Sequence, residues 1–304
     1  MESLANIESL ASEIRGSNIR NLALPAIRAR VQHLIASQLF PSATFDWHTT
    51  FARARVLPPG KSFENLTELI YPPQPNSDFG RANIPGRHVL YSSANKSTAL
   101  EEVNAAPGMK IMVVMFRPKD GKRLDFSVIG ELESALSAGK TRMCSDTLVN
   151  DVDSLLNSDR DRLYKFVYID SFLSEMFGRM NAVGYIHAVT ATVAEILFER
   201  GRGGILFESV RRNHGWNQAI ERGQFDQSCE IMAVEELKVN AVYKYGLYDC
   251  EHLRITDSFG TQGEIQWDKG SNFTAQWNLR SGVTFPRALR GWSPLQIAAY
   301  PLDN

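Results

Sequence analysis

Three observations predict a mixed α/β fold. Apolar residues recur at helical spacing in two distant stretches, Leu4, Ile7, Leu10, Ile14 near the start and Val189, Val193, Ile196, Leu197 far downstream. Between them, Ile111 to Phe116 is a continuous apolar run of strand length. Shorter strand-like runs at Phe51–Val56, Val89–Tyr91 and Ile205–Phe207 are interleaved with polar turns.

Taken in order, residues 1 to 40 read as two helices: Gly16 interrupts the first, and Ile27, Val31 and Leu34 resume the pattern, with Pro25 suited to the first turn. This segment is expected to be a packed cap or a partner-facing arm. Phe51-Ala52-Arg53-Ala54-Arg55-Val56 alternates, so a strand there puts Arg53 and Arg55 on one face, and Leu57-Pro58-Pro59-Gly60 ends it. The proline-rich Tyr71 to Asn76 reads as a loop leading to Gly80. Val89-Leu90-Tyr91 is a short buried strand, after which Ser97 or Thr98 is expected to cap a helix carrying Glu101 and Glu102. Ile111–Phe116 is core sheet, closed by Pro118 and the Asp120-Gly121 turn. Residues 120 to 185 are mixed, and Asn157 to Arg162 reads as either a helix start or an exposed loop. The helix through Val189 ends at Gly201-Arg202-Gly203-Gly204, and the strand that follows brings Ser209 to its end. Ile231–Val234 and Val242-Tyr243 suggest further short strands, and the region of Trp267, Trp277 and Trp292 suggests strands and turns.

Composition narrows the function. The chain has 304 residues, 43% of them hydrophobic, enough for one large domain or two ordinary ones. A formal net charge of -1 supplies no general field for nucleic acid or an anionic membrane, so neither is an expected partner. No apolar run approaches the roughly 20 residues needed to span a bilayer. The Met1-Glu2-Ser3 start lacks the basic-then-apolar pattern of a signal peptide, so a cytoplasmic location is expected. Cys144, Cys229 and Cys250 are far apart and odd in number, which fits reduced thiols, and His88, His187, His214 and His252 form no metal motif.

The chemistry-bearing residues gather around Gly80-Arg81-Ala82-Asn83-Ile84-Pro85-Gly86, Tyr91, Glu102 and Ser209. Arg81 sits on a sharp turn, and a planar guanidinium suits a phosphate or pyrophosphate through two charge-assisted hydrogen bonds. The plain alternative is a salt bridge stapling a loop. Tyr91 is either core filling or a stacking wall for a flat ring. Glu101 and Glu102 point about 100° apart on a helix, so one of them faces any cleft. Ser209 lacks the Gly-x-Ser-x-Gly elbow of a hydrolase nucleophile and fits a turn or cap equally well. Asn217, Arg211, Arg212 and His214 lie close by in the sequence.

Order and spacing distinguish these readings. Phe51-Ala52-Arg53, Gly80-Arg81-x-Asn83-x-Pro85-Gly86, Tyr91, Thr98-Ala99-x-x-Glu102, Thr190 on the helix Ala188 to Arg200, and Gly204-Ile205-x-Phe207-x-Ser209 followed by Asn217 together resemble the RES domain family over about residues 47 to 245. The resemblance implies an α/β (α+β) fold like that of ADP-ribosyltransferases, with a bent, split mixed sheet, flanking helices and a cleft for NAD. It implies division into an amino-terminal helical arm (1–46), the RES domain (47–245) and a carboxy-terminal extension packed on it (246–304).

It further implies an enzyme that consumes NAD as substrate without a metal: an NAD glycohydrolase or phosphorylase, typically a bacterial toxin paired with an antitoxin protein. The alternatives are an ADP-ribosyltransferase acting on a protein and a non-catalytic nucleotide- or partner-binding module. Carried over position by position, Arg81, Glu102 and Ser209 are the implied catalytic residues, and Arg53, Tyr91 and Asn217 the implied NAD-binding ones. In that assignment Arg81 and Arg53 grip the pyrophosphate, Tyr91 stacks on the pyridine ring, and Glu102 stabilises the cation that develops on ribose. Ser209 bonds a hydroxyl, the amide or an incoming phosphate.

Overall fold

The structure, a computed structural model, describes residues 3–16, 21–71, 78–180 and 184–267. In chain order the elements are α1 (Leu4–Arg15), α2 (Leu24–Leu34), β1 (Ser42–Phe45), β2 (Phe51–Val56), α3 (Leu66–Ile70), β3 (Val89–Ser93), α4 (Lys96–Glu102), β4 (Lys110–Pro118) and β5 (Leu124–Val128). There follow α5 (Leu132–Ala138), α6 (Thr147–Ser158), α7 (Arg160–Gly178), α8 (Tyr185–Glu199), β6 (Gly204–Glu208), β7 (Trp216–Glu221), α9 (Arg222–Ser228), β8 (Cys229–Tyr243) and β9 (Leu247–Thr256). The fold is mixed α/β, as the alternation of helical and strand patterns predicts. Two compact units are drawn from it: Met1–Thr44 with Gln74–Leu90 and Leu124–Phe225, and Phe45–Pro73 with Tyr91–Arg123 and Asp226–Asn304.

The first unit is helical around a small mixed sheet, in the strand order β1-β5-β6-β7. β5 and β6 are parallel, and β6 and β7 antiparallel. Glycine is required at the start of β6, because a Cβ on Gly204 would lie 2.4 Å from the Phe126 ring. The two amino-terminal helices are integral here. Ser3 caps α1 by accepting from the Asn6 N–H at 3.2 Å, and the stripe Ile7, Ala11, Ile14 is buried. Ile27, Val31 and Leu34 of α2 are buried likewise. Arg15 pairs with Glu175 of α7 at 2.6 Å, Arg28 pairs with Glu199 of α8, and the buried Gln38 amide donates to the Phe166 carbonyl at 3.2 Å. The segment is therefore a packed layer.

The second unit is an antiparallel sheet in the order β3-β2-β4-β8-β9. All six side chains of Ile111 to Phe116 in β4 are buried, each contributing about 1.5–3 kcal/mol relative to exposure. One ionic cluster interrupts this apolar interior: Lys96 at the start of α4 pairs with Glu235 of β8, which also pairs with His252 of β9. Burial alone would raise the Glu235 pKa, but the His252 hydrogen bond and the Lys96 charge hold it below the ordinary carboxylate value. The pair fastens the first residue of α4 to the sheet.

Several expectations need correction. The cap of α4 is Asn95, not Ser97 or Thr98: its carboxamide oxygen accepts from the Thr98 N–H at 2.9 Å and the Thr98 hydroxyl at 3.0 Å, so the helix starts at Lys96. Tyr91 lies in the middle of β3 rather than at its end. The two short strands expected near 231 and 242 are one 15-residue strand, β8, with register irregularities after Glu236 and Val239. The charges at Glu235 and Glu236 hid its continuity, yet both side chains are buried and ion-paired.

Residues 120–185 are mostly helical; α7 is a 19-residue helix burying Leu163, Phe166, Ile169, Leu173 and Met176. Asn157–Arg162 is the junction between α6 and α7, with Asp159 capping α7. Trp267 lies under the Arg254 guanidinium, 3.9 Å from the ring centroid. Trp277, Trp292 and the loop from Pro72 to Asn76 lie outside the described residues.

Candidate active site

Arg81, Ser209 and Asn217 belong to the first unit, and Arg53, Tyr91 and Glu102 to the second. In the first unit, the turn bearing Arg81 is built by its own backbone. The Gly80 N–H donates to the Asn83 carbonyl at 3.0 Å, and the Arg87 N–H to the Ile84 carbonyl at 3.1 Å. Gly86 takes φ +81, a conformation glycine adopts without the Cβ penalty. Asn83 is buried beneath, its amide 3.4 Å from the Ile84 carbonyl. The Arg81 side chain is half-buried and donates to the Arg179 carbonyl, at the end of α7, at 3.3 Å.

The beginning of α8 meets the same turn. His187 places Nδ1 3.2 Å from the Phe79 carbonyl, while its Nε2 is buried with no hydrogen-bond partner among the described residues. Burial, then the nearby positive charge of Arg81, lower the His187 pKa, against a raising effect of the Phe79 hydrogen bond. Thr190, one turn on, is fully buried and turns its hydroxyl back to the Ile186 and His187 carbonyls at 3.2 and 3.3 Å.

Ser209 shapes the loop after β6. Its Oγ accepts from the N–H groups of Arg211 and Arg212 at 3.2 and 3.0 Å, and its own N–H donates to the Gly215 carbonyl at 2.7 Å. These two accepted bonds engage the Ser209 hydroxyl oxygen with the backbone of its own loop. Asn217, nearly buried, stands opposite Phe207 in the β6–β7 register, close to Ser209. Arg142, which sequence reasoning missed, clamps this end of the hairpin. It bonds Glu208 at 2.6 Å and the Gly130 carbonyl at 3.2 Å, and lies 5.1 Å from the Trp216 ring centroid. No local pattern announces Arg142, because its partners are far away in sequence.

In the second unit, Arg53 is half-buried and donates from Nε to the Leu69 carbonyl at 2.8 Å and from Nη1 to the Tyr91 carbonyl. Desolvation lowers its pKa to about 10, which leaves it charged at neutral pH. The expectation that Arg53 reaches a pyrophosphate must accommodate this: two donors are committed to backbone carbonyls, and one of them holds the strand of Tyr91. Tyr91 is the one partly exposed residue of β3, whose other four residues are buried. Glu102 is the half-buried last residue of α4, beside Glu101. Carboxylates at a helix C-terminus oppose the macrodipole by about 0.3–1 kcal/mol, and no basic residue in that turn compensates.

Among the described residues there is no group of three or more metal-ligating side chains and no helix long and apolar enough to cross a membrane. Cys144, Cys229 and Cys250 are free thiols, and burial pushes those of Cys144 and Cys229 up to about 12. These features define a mixed α/β protein with an anion-suited arginine turn and a partly buried helical glutamate. The chain belongs to the RES domain family, whose model matches residues 52–240, more than half its length. No curated protein matches it.

Proposed function

We propose that this RES-family chain is an NAD-consuming enzyme that breaks the bond between nicotinamide and ribose, as a glycohydrolase or a phosphorylase. The observation that carries this reading is the family match over residues 52–240, a range that contains Arg53, Arg81, Tyr91, Glu102, Ser209 and Asn217. As the C1′–N bond breaks, its electron pair leaves with neutral nicotinamide and positive charge grows on the sugar. Glu102 stabilises that charge more in the transition state than in the ground state. Arg81 holds the pyrophosphate. The partly exposed ring of Tyr91 stacks on the pyridine, on a strand tied down by Arg53. Ser209 bonds a ribose hydroxyl, the nicotinamide amide or an attacking phosphate, and Asn217 supports it. Water or inorganic phosphate then adds at C1′ and releases one proton.

In the cell this activity fits a cytoplasmic toxin restrained by an antitoxin protein. The test incubates purified protein with NAD, with and without phosphate, and follows nicotinamide and the ribose product by chromatography and mass. Nicotinamide release is expected, and its dependence on phosphate separates phosphorolysis from hydrolysis. NAD binding without any release overturns the reading. Glu102→Ala should abolish release while leaving the fold intact, and should relieve any growth arrest caused by expression of the wild type.

A further inference from the structure

The imidazole of His187 stands beside Arg81 and is used by none of the steps above. Its Nδ1 lies 3.2 Å from the carbonyl of Phe79, the second residue before Arg81. A carbonyl only accepts, so Nδ1 must carry the proton. A neutral ring then leaves Nε2 as a bare lone pair, in keeping with its buried position without a donor to meet. Neutrality is favoured twice over, since desolvation and the Arg81 guanidinium both disfavour an imidazolium. The ring is itself fixed on α8, where Thr190 and its neighbours on the following turns are fully buried.

We infer that His187 is a positioning residue for Arg81: as the neutral Nδ1–H tautomer it holds the Phe79–Gly80 backbone, and so the Arg81 turn, against the first turn of α8. Arg81 also donates to the Arg179 carbonyl, so the His187 and Arg179 contacts both bear on where the guanidinium points. A guanidinium binds an anion in two parallel bonds only when its plane is correctly set, which makes its mounting matter as much as its charge. The consequence for turnover rests on the NAD reading above; the tautomer and the mounting do not.

Two measurements test it. In the first, 15N NMR of histidine-labelled full-length protein at neutral pH should show His187 uncharged with the proton on Nδ1. An Nε2–H tautomer or an imidazolium overturns the inference whether or not the protein acts on NAD. In the second, His187→Phe keeps a flat ring without the donor and should raise KM for NAD about tenfold with kcat little changed, as expected when an anion grip is loosened equally in ground and transition states. His187→Asn, whose side-chain NH2 can take the place of Nδ1–H, should recover most of that loss, while His187→Gln should not. Equal impairment of the Phe and Asn variants at unchanged Tm, or a wild-type KM in the Phe variant, overturns the positioning role. Wild-type protein that releases no nicotinamide contradicts the NAD reading alone, and the NMR result then decides the inference.

Discussion

Arg53 and Arg81 enter the sequence reading with the same role, and the structure gives them different hydrogen-bond partners. Arg53 is half-buried on a strand, with two donors committed to the carbonyls of Leu69 and Tyr91. Arg81 is half-buried on a turn, with a carbonyl contact at 3.3 Å and a neutral histidine beside it. A guanidinium surrounded by backbone oxygens is architecture; one on a preformed turn at the edge of the interior is suited to a ligand. Residue type gives the chemical capacity, and the partners a side chain meets bias what it is used for.

The sharpest way to break this comparison is to remove each arginine in turn. Arg53→Leu should cost about 3–5 kcal/mol of stability, since it strands two buried carbonyls that accept from a charged donor. Denaturant unfolding reads this directly, and a variant as stable as wild type would place Arg53 with Arg81. Arg81→Ala should leave the unfolding midpoint nearly unchanged while lowering kcat/KM for NAD about 100-fold, or about 2.7 kcal/mol. A large stability loss instead would make the Arg81 turn structural.

Buried carboxylates repeat the contrast. Asp170 of α7 accepts from the Gly130 and Leu132 N–H groups at 2.9 Å each, yet burial, with the Glu131 charge adding to it, raises its pKa to about 6, whereas Glu235 is met by Lys96 and His252. Between about pH 4 and 6 the folded chain therefore binds more protons at Asp170 than the unfolded chain, and stability falls as pH rises through that window by up to about 3 kcal/mol. Glu235 has the opposite sign: its depressed pKa contributes stability above the unfolded carboxylate value, lost as pH falls through the folded one. Asp170→Asn should be less stable throughout, through one lost acceptor, but its stability should no longer decline from pH 4 to 6 as the wild type's does. Urea midpoints across that range check the slope. The smallest effect is expected from Ser209→Ala, about tenfold in turnover with about 1 kcal/mol of stability, because Ser209 both shapes its loop and serves as a donor.

Much of the architecture was legible because it is written in local spacing. The stripes Leu4–Ile7–Leu10–Ile14, of which Ile7 and Ile14 are buried, and Ile27–Val31–Leu34, the alternation of Phe51–Val56 and the apolar run of β4 need no knowledge of distant partners. The helix α7 carries the same kind of stripe, but Lys165 and Asp170 interrupt it, and both are buried in the folded chain. β8 was divided for the same reason at Glu235 and Glu236. Charge reads as exposure in a sequence, whereas burial with a partner is settled only when distant segments meet.

The candidate site divides along the same line. The order Arg53, Arg81, Tyr91, Glu102, Ser209, Asn217 carried the family resemblance, because a motif is a property of the chain. The sequence by itself determined which groups are present and which elements carry them. Tertiary structure alone decided that Arg53 donates to the Leu69 and Tyr91 carbonyls, that the Ser209 hydroxyl accepts from the Arg211 and Arg212 N–H groups, that Arg142 clamps the end of the β6–β7 hairpin, and that His187 faces the Phe79 carbonyl beside Arg81. The physical reason is that a hydrogen bond depends on two groups and the distance between them, and in each of the longer-range cases that distance is closed by segments far apart in the chain.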